Sequence, residues 1–182
     1  GLFRRCSETM QVQGSEALLG LYEGWIALEE GQFEESRTRL ETALPVLEAG
    51  IANRVPYAIN ALAEVLLGLK EPEAARTMAL QGIAWNRSHG NQDQLIWGLR
   101  ILGDICIRMG ALPEARRALL EAERLSRRLL MKPHTAWICA AWARYREKAG
   151  PPQKIAPWRR RASELWRCMD NPYQADKMRA DH

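Results

Sequence analysis

The chain has 182 residues, of which 47% are apolar and 26% charged, and its formal net charge is +4. These values are typical of a soluble globular domain, and no apolar run approaches the roughly 20 residues that a membrane-spanning helix needs. No secretory signal precedes the first charged residues. Because the chain starts with Gly1 rather than methionine, we expect it to be a piece of a longer protein.

Apolar residues at helical spacing run along most of the chain and predict an all-α fold. A leading helix is predicted at 2–12, and eight further helices follow in pairs. The predicted pairs are 15–30 with 33–49, 53–69 with 72–89, 92–109 with 113–131, and 134–149 with 153–169. The tail, 171–182, is predicted to fray or to begin another helix after Pro172. No alternating β-branched run and no Asn-Gly turn predicts a strand.

Four short segments recur between the paired helices at nearly equal spacing. They are GQFEES (31–36), KEPEAA (70–75), GALPEA (110–115) and GPPQKI (150–155), and their first residues are 39, 40 and 40 apart. Glycine at a helix end adopts a left-handed backbone at little cost, and proline is favoured in the first helical turn. These corners predict a tandem array of about four helical hairpins, near 15–50, 53–90, 92–131 and 134–170.

Small residues also recur in register with the corners. Seven residues before each corner stand Gly24, Ala63, Gly103 and Ala143. Five residues after the start of each corner stand Ser36, Ala75, Ala115 and, as an exception, Ile155. Small side chains let two helices approach closely, so we expect a tight crossing within each hairpin. A further column contains Leu40 and Leu119, with Ala79 and Arg159 at the other two positions.

These residues resemble the tetratricopeptide repeat. The third unit carries the clearest match, in Leu102-Gly103, Gly110, Pro113-Glu114-Ala115, Leu119 and Ala122. The first unit matches at Gly24, Ala27, Gly31, Phe33, Leu40 and Ala43. The resemblance implies a right-handed α-solenoid of antiparallel helix hairpins over residues 1–170. A period near 40 departs from the usual period of about 34. It is similar to the longer repeats of bacterial signalling and transcription regulators, which implies a regulatory segment of a bacterial protein.

No catalytic motif is present in the sequence. The histidines, His89, His134 and His182, do not stand at metal-ligand spacing from one another or from a cysteine. No GxGxxG, Walker or GxSxG motif occurs. The cysteines, Cys6, Cys106, Cys139 and Cys168, form no CxxC pair, so we expect buried, reduced thiols in a cytoplasmic protein. The sequence therefore predicts a non-enzyme without a metal or cofactor.

A candidate binding surface follows from the repeat. In a stack of hairpins the first helices line the concave surface. Equivalent positions on these helices form one aromatic and two polar columns, which are the predicted binding residues: Tyr57, Asn60, Glu64, Trp97, Arg100, Asp104, Trp137 and Arg144. Aromatic rings would anchor a protein or peptide ligand, and the polar groups would orient it. Alternatively, the aromatic rings pack between successive helices, and Arg100 pairs with Asp104 along its own helix.

Other functions remain open at the sequence level. A small-molecule sensor could bind its ligand on the aromatic column. Self-association could occur through the ends of the array, where Leu2 and Phe3 would lack a polar cap. Residues 144–182 contain ten Lys/Arg and five Asp/Glu, which gives +5 and leaves −1 for residues 1–143. Attraction to an acidic partner is therefore expected at the C-terminal end.

The basic segment KIAPWRRRASELWR, 154–167, interleaves arginines with Trp158 and Trp166. This pattern could bind nucleic acid through phosphate contacts and base stacking. We favour an amphipathic helix with both tryptophans on its inner face. We therefore expect neither nucleic acid nor a membrane as a partner.

Overall fold

A computed structural model describes the backbone of residues 2–150 and 155–180, and the side chains of residues 12–150 and 155–176. Within these ranges the chain is helical, without a strand, which confirms the predicted all-α fold of helical hairpins. The helices are α1 (Leu2–Glu29), α2 (Phe33–Gly50), α3 (Val55–Gly68), α4 (Pro72–Ser88), α5 (Gln92–Arg108), α6 (Leu112–Arg128), α7 (Lys132–Ala149), α8 (Ala156–Cys168) and α9 (Pro172–Ala180). A short 3₁₀ turn, Ala52–Arg54, precedes α3.

The helices group into two compact units, Gly1–Trp85 and Asn86–His182, which we call unit 1 and unit 2. Unit 1 contains α1, α2, α3 and most of α4, and unit 2 contains α5 to α9. Within each unit, helices that follow one another along the chain pack together: α1 on α2 and α2 on α3 in unit 1, and the series from α5 to α9 in unit 2.

The first helix is longer than expected, because α1 runs unbroken through 28 residues where two helices were predicted, at 2–12 and 15–30. Gly14 lies inside α1, and no proline interrupts this part of the chain. One glycine within a helix costs only about 1 kcal/mol relative to alanine. That cost is too small to end a helix that packs on α2 over much of its length.

The predicted corners appear in the backbone as left-handed residues. Gly31, Lys70 and Gly110 have φ angles of 77°, 65° and 76°. After each of them, the next N–H donates to a carbonyl five residues earlier: Gln32 to Ala27, Glu71 to Leu66 and Ala111 to Cys106, at 2.8 to 2.9 Å. This hydrogen bond is the Schellman closure of a helix C-terminus. Residues 151–154 of the fourth predicted corner lie outside the described residues.

A second set of corners joins one hairpin to the next and was not predicted. Gly90, Leu130 and Asp170 stand 40 residues apart and have φ angles of 68°, 55° and 55°. The same five-residue hydrogen bond follows each, donated by Asn91, Met131 and Asn171 at 3.0 Å. A left-handed backbone costs a non-glycine residue roughly 1 kcal/mol or more. The 40-residue period is therefore a property of the backbone as well as of the sequence.

The predicted tight crossing is present in the hairpins α1–α2 and α5–α6. A Cβ atom built on Gly24 would lie 2.7 Å from Leu40 Cγ, and one built on Gly103 would lie 2.6 Å from Leu119 Cδ2. Both leucines are completely buried. The hydroxyl of Ser36 donates to the carbonyl oxygen of Gly24 at 2.7 Å. Each glycine thus makes room for a leucine at the centre of its hairpin.

Candidate binding face on α5 and α7

Five of the eight predicted binding residues lie in unit 2, on two helices that pack against each other. Helix α5 supplies Trp97, Arg100 and Asp104, and helix α7 supplies Trp137 and Arg144. Residues at i, i+3 and i+7 share one side of a helix, so each set lies on one side of its helix. We call these five residues the α5–α7 face.

An ionic cluster lies at the centre of the α5–α7 face. Arg144 donates two hydrogen bonds to the Asp104 carboxylate, from Nε to Oδ1 at 3.0 Å and from Nη2 to Oδ2 at 2.9 Å. Arg100 Nη1 donates to Oδ2 of the same carboxylate at 3.3 Å. The side chains of Arg100 and Asp104 are each 8% exposed, and that of Arg144 is 37% exposed. Two guanidinium groups share one carboxylate, so the cluster carries a formal charge of +1.

The aromatic part of the face is packed on one side and open on another. The Arg100 guanidinium lies over the Trp137 ring, 5.8 Å from its centroid. Trp166 of α8 meets the same ring edge-on, with 5.3 Å between the ring centroids. Trp137 is nevertheless only half-buried, as is Trp97. The two readings of the aromatic column therefore both hold in part, because Trp137 packs between helices and still presents surface.

The other three predicted residues lie on α3 in unit 1. Tyr57 is half-buried, with the Trp25 ring at 5.6 Å and the Arg54 guanidinium 5.5 Å from its ring centroid. Glu64 is half-buried, and Asn60 is completely buried. The Asn60 side chain lies against Gly82, where an added Cβ would come within 3.0 Å of its Oδ1. Asn60 presents no surface to a ligand, so we leave it out of the candidate face.

A polar contact near the start of α5 and α7 was missed. His134 Nε2 lies 2.6 Å from Asp93 Oδ1, and the Gln94 side-chain amide donates to Asp93 Oδ2 at 2.9 Å. The hydrogen bond with His134 lowers the pKa of Asp93, and that from Gln94 adds to the effect against the opposing effect of burial. Gln94 and His134 stand 40 residues apart, which was the available signal. This contact links the first turns of the two helices.

The described residues contain no group of three or more His, Cys, Asp or Glu side chains placed to hold a metal ion. Cys106 and Cys139 are buried, as predicted, whereas Cys168 is exposed and the Cys6 side chain lies outside the described residues. Burial raises the pKa of Cys139 to about 11. Because the thiolate is the nucleophilic form, Cys139 is not an activated nucleophile at neutral pH.

Helix α8 agrees with the amphipathic interpretation of the basic segment. The Trp158 ring stacks on Trp142 at 5.7 Å, and Trp166 is buried. Arg159 forms an ion pair with Glu147 of α7. Both tryptophans face the helical core, so neither offers a free ring to a base. Over the part of the chain that the structure describes, no helix combines the length and the hydrophobicity needed to cross a membrane.

No family model matches the chain, and no curated protein is significantly similar to it in sequence. The resemblance to the tetratricopeptide repeat therefore depends on the corner and crossing residues described above.

Proposed function

We propose that the chain is a non-enzymatic binding module that takes a protein or peptide segment along the first helices of its hairpins. The observation that carries this proposal is the α5–α7 face, where two half-buried tryptophans lie beside a buried ionic cluster. We further propose that the module is a tetratricopeptide-like array within a larger cytoplasmic bacterial regulator. That part depends on the recurring corners at Gly31, Lys70 and Gly110.

The residue types on this face favour recognition of another chain. Tryptophan, tyrosine and arginine supply most of the binding energy in protein interfaces. The ligand's own groups would meet side chains that are already held in place, because Arg144 is fixed by two hydrogen bonds and Trp137 by Arg100 and Trp166. Binding to a preformed surface loses little side-chain entropy. The formal charge of +1 favours a segment that presents carboxylate or carbonyl oxygens.

The test is capture of partners from a bacterial extract by the wild-type chain and by the variant Trp97→Ala/Trp137→Ala. If the rings anchor the ligand, each replacement weakens binding by about 2 kcal/mol or more, and captured proteins disappear from the variant. Mass spectrometry of the captured proteins and isothermal titration with the strongest one measure the loss.

A matched control is Tyr173→Ala, which removes an aromatic ring that is 64% exposed on α9. This control is expected to keep the full set of captured proteins. Circular dichroism of every variant checks that the helices remain. If Trp97→Ala alone unfolds the chain, Trp97 is a core residue and the proposed anchor is wrong. If the double variant folds and captures the same proteins, the α5–α7 face does not bind them.

A further inference from the structure

Two exposed helix faces of this chain carry the same residue spacing with opposite charge. Helix α1 presents Glu16, Leu19 and Glu23, at positions i, i+3 and i+7. Helix α6 presents Arg117, Leu120 and Arg124, also at i, i+3 and i+7. We call these two triplets the α1 face and the α6 face. In each, one leucine lies between two like charges on a single side of the helix.

The α1 face is open and partly apolar. Leu19 is 58% exposed, and Val12 and Ile26, seven residues to either side, are exposed to the same extent. A stripe that repeats every seven residues is the pattern with which one helix packs along another. Glu16 is exposed and has no partner among the described side chains, and Glu23 forms an ion pair with Arg39 at 2.8 Å.

A groove of about 860 Å³ between α1 and α2 borders the α1 face. Its lining includes the small residues Ala17, Gly20 and Ala43, which leave room for side chains of another helix. Glu16, Glu23 and Glu35 also line it, with Arg39 as the opposing charge. The groove therefore combines a floor of small side chains with an acidic rim, and it suits a helix that carries an apolar residue between cations.

The α6 face has that composition. Leu120 is 41% exposed and lies between Arg117 and Arg124, both of which are exposed. Neither arginine, nor the neighbouring Arg116, has an ion-pair or hydrogen-bond partner among the described residues. Their charges are consequently not neutralised within the chain and are available to carboxylates of another molecule.

The charge of the two units shows the same opposition on a larger scale. Residues 1–85 contain seven Lys/Arg and twelve Asp/Glu, which gives −5. Residues 86–182 contain nineteen Lys/Arg and ten Asp/Glu, which gives +9. Opposite charges on two surfaces raise the rate at which these surfaces meet and fix how they are aligned. One copy of the chain thus carries two surfaces of opposite sign, each complementary to the other surface of a second copy.

We propose that the α6 face of one copy packs against the α1 face of a second copy. Parallel packing that sets Leu120 against Leu19 places Arg117 opposite Glu16 and Arg124 opposite Glu23, because the spacings are identical. Each copy carries both faces, so the contact is heterologous and leads either to a reciprocal dimer or to longer assemblies. This association uses other helices than the proposed ligand-binding face, and either proposal can fail without the other.

The experiment is sedimentation velocity on the full chain over a range of protein and salt concentrations. The wild type is expected to associate as its concentration rises, and salt is expected to weaken the association by screening the charges. The variants Glu16→Arg/Glu23→Arg and Arg117→Glu/Arg124→Glu are each expected to associate at least about tenfold more weakly, because each opposes like charges across the contact.

Mixing the two variants provides the decisive measurement. The first variant retains a native α6 face and the second a native α1 face, so the equimolar mixture is expected to form one-to-one dimers. Leu19→Ser, which changes no charge, is expected to weaken association as well. The control Glu48→Arg/Glu73→Arg makes the same change of charge at exposed sites elsewhere in unit 1 and is expected to behave as wild type.

Several results would overturn the proposal. One is a wild-type chain that stays monomeric at every concentration, and another is association that both charge-reversed variants retain. Equal loss in the Glu48/Glu73 control would assign the effect to overall charge rather than to the α1 face. Failure of the mixed variants to associate, with circular dichroism showing both folded, would show that the two faces do not meet.

Discussion

Helices α5 and α1 are both first helices of hairpins, and they differ in how much of their surface is covered. From Gln94 to Ile107, every residue of α5 except Trp97 is buried, whereas α1 keeps one side open along Val12, Leu19 and Ile26. Their ion pairs differ accordingly. Asp104 of α5 is 8% exposed, and Glu23 of α1 is 39% exposed. The same kind of charge pair therefore contributes to the fold in α5 and remains accessible to a partner in α1.

The largest effect is expected from Asp104→Ala. This change leaves the buried Arg100 guanidinium without its carboxylate, and removing one partner of a buried ion pair costs about 3 kcal/mol or more. The free energy of unfolding, measured by urea denaturation, is expected to fall by that amount. The matched change Glu23→Ala is expected to cost less than about 1 kcal/mol, since solvent screens the exposed pair. Equal losses in the two variants would remove the distinction between α5 and α1.

A smaller effect is expected from Gly103→Ala, at about 2 kcal/mol, because the added Cβ would overlap the Leu119 side chain. Gly24→Ala in α1 makes the equivalent overlap with Leu40. We expect it to cost about half as much, because the open side of α1 lets the helix shift. Urea denaturation again measures both.

The overlap can be relieved within the α5–α6 hairpin. Ala63 and Ala79 occupy the equivalent positions of the second repeat, so an alanine pair is already compatible with this crossing. The double variant Gly103→Ala/Leu119→Ala is therefore expected to lose less stability than the sum of its single changes. Additive losses would show that Gly103 and Leu119 do not act as a pair.

The smallest effect is expected from Asp93→Asn, which weakens the contact between α5 and α7 at a partly exposed site. The pKa of Asp93 is lowered from its usual 3.8, so its carboxylate stabilises the folded chain above pH 3.8. That contribution is lost as the pH falls from 3.8 through the lower pKa of the folded state. We expect a difference below about 1 kcal/mol between wild type and variant near neutral pH. Urea denaturation at several pH values should show this difference shrinking below pH 3.8.

Much of the architecture could be predicted because it recurs with a fixed residue type. Gly31 and Gly110 mark corners, and the pairing of Gly24 with Leu40 repeats in Gly103 with Leu119. The second set of corners could not be predicted in this way. Leu130 is left-handed because its neighbours close the end of a helix by backbone hydrogen bonds, not because leucine prefers that conformation.

The candidate site was predictable in position but not in its bonds. The 40-residue spacing places Trp97 and Trp137 at equivalent positions. From sequence, however, Asp104 could pair with Arg100 or with Arg108 along its own helix, since both are four residues away. Its two short bonds to Arg144 depend on the distance between α5 and α7, which only the packing of the hairpins sets. Burial of Asn60 likewise depends on neighbours far along the chain.

The left-handed residues Gly90, Leu130 and Asp170 have a consequence for how such chains change in length. Each is followed by the same hydrogen bond, whatever its side chain. A stretch of 40 residues between two of them begins and ends in one backbone geometry. Duplicating or deleting that stretch rejoins matching ends, so genes for this architecture can gain or lose a module without inventing a new junction.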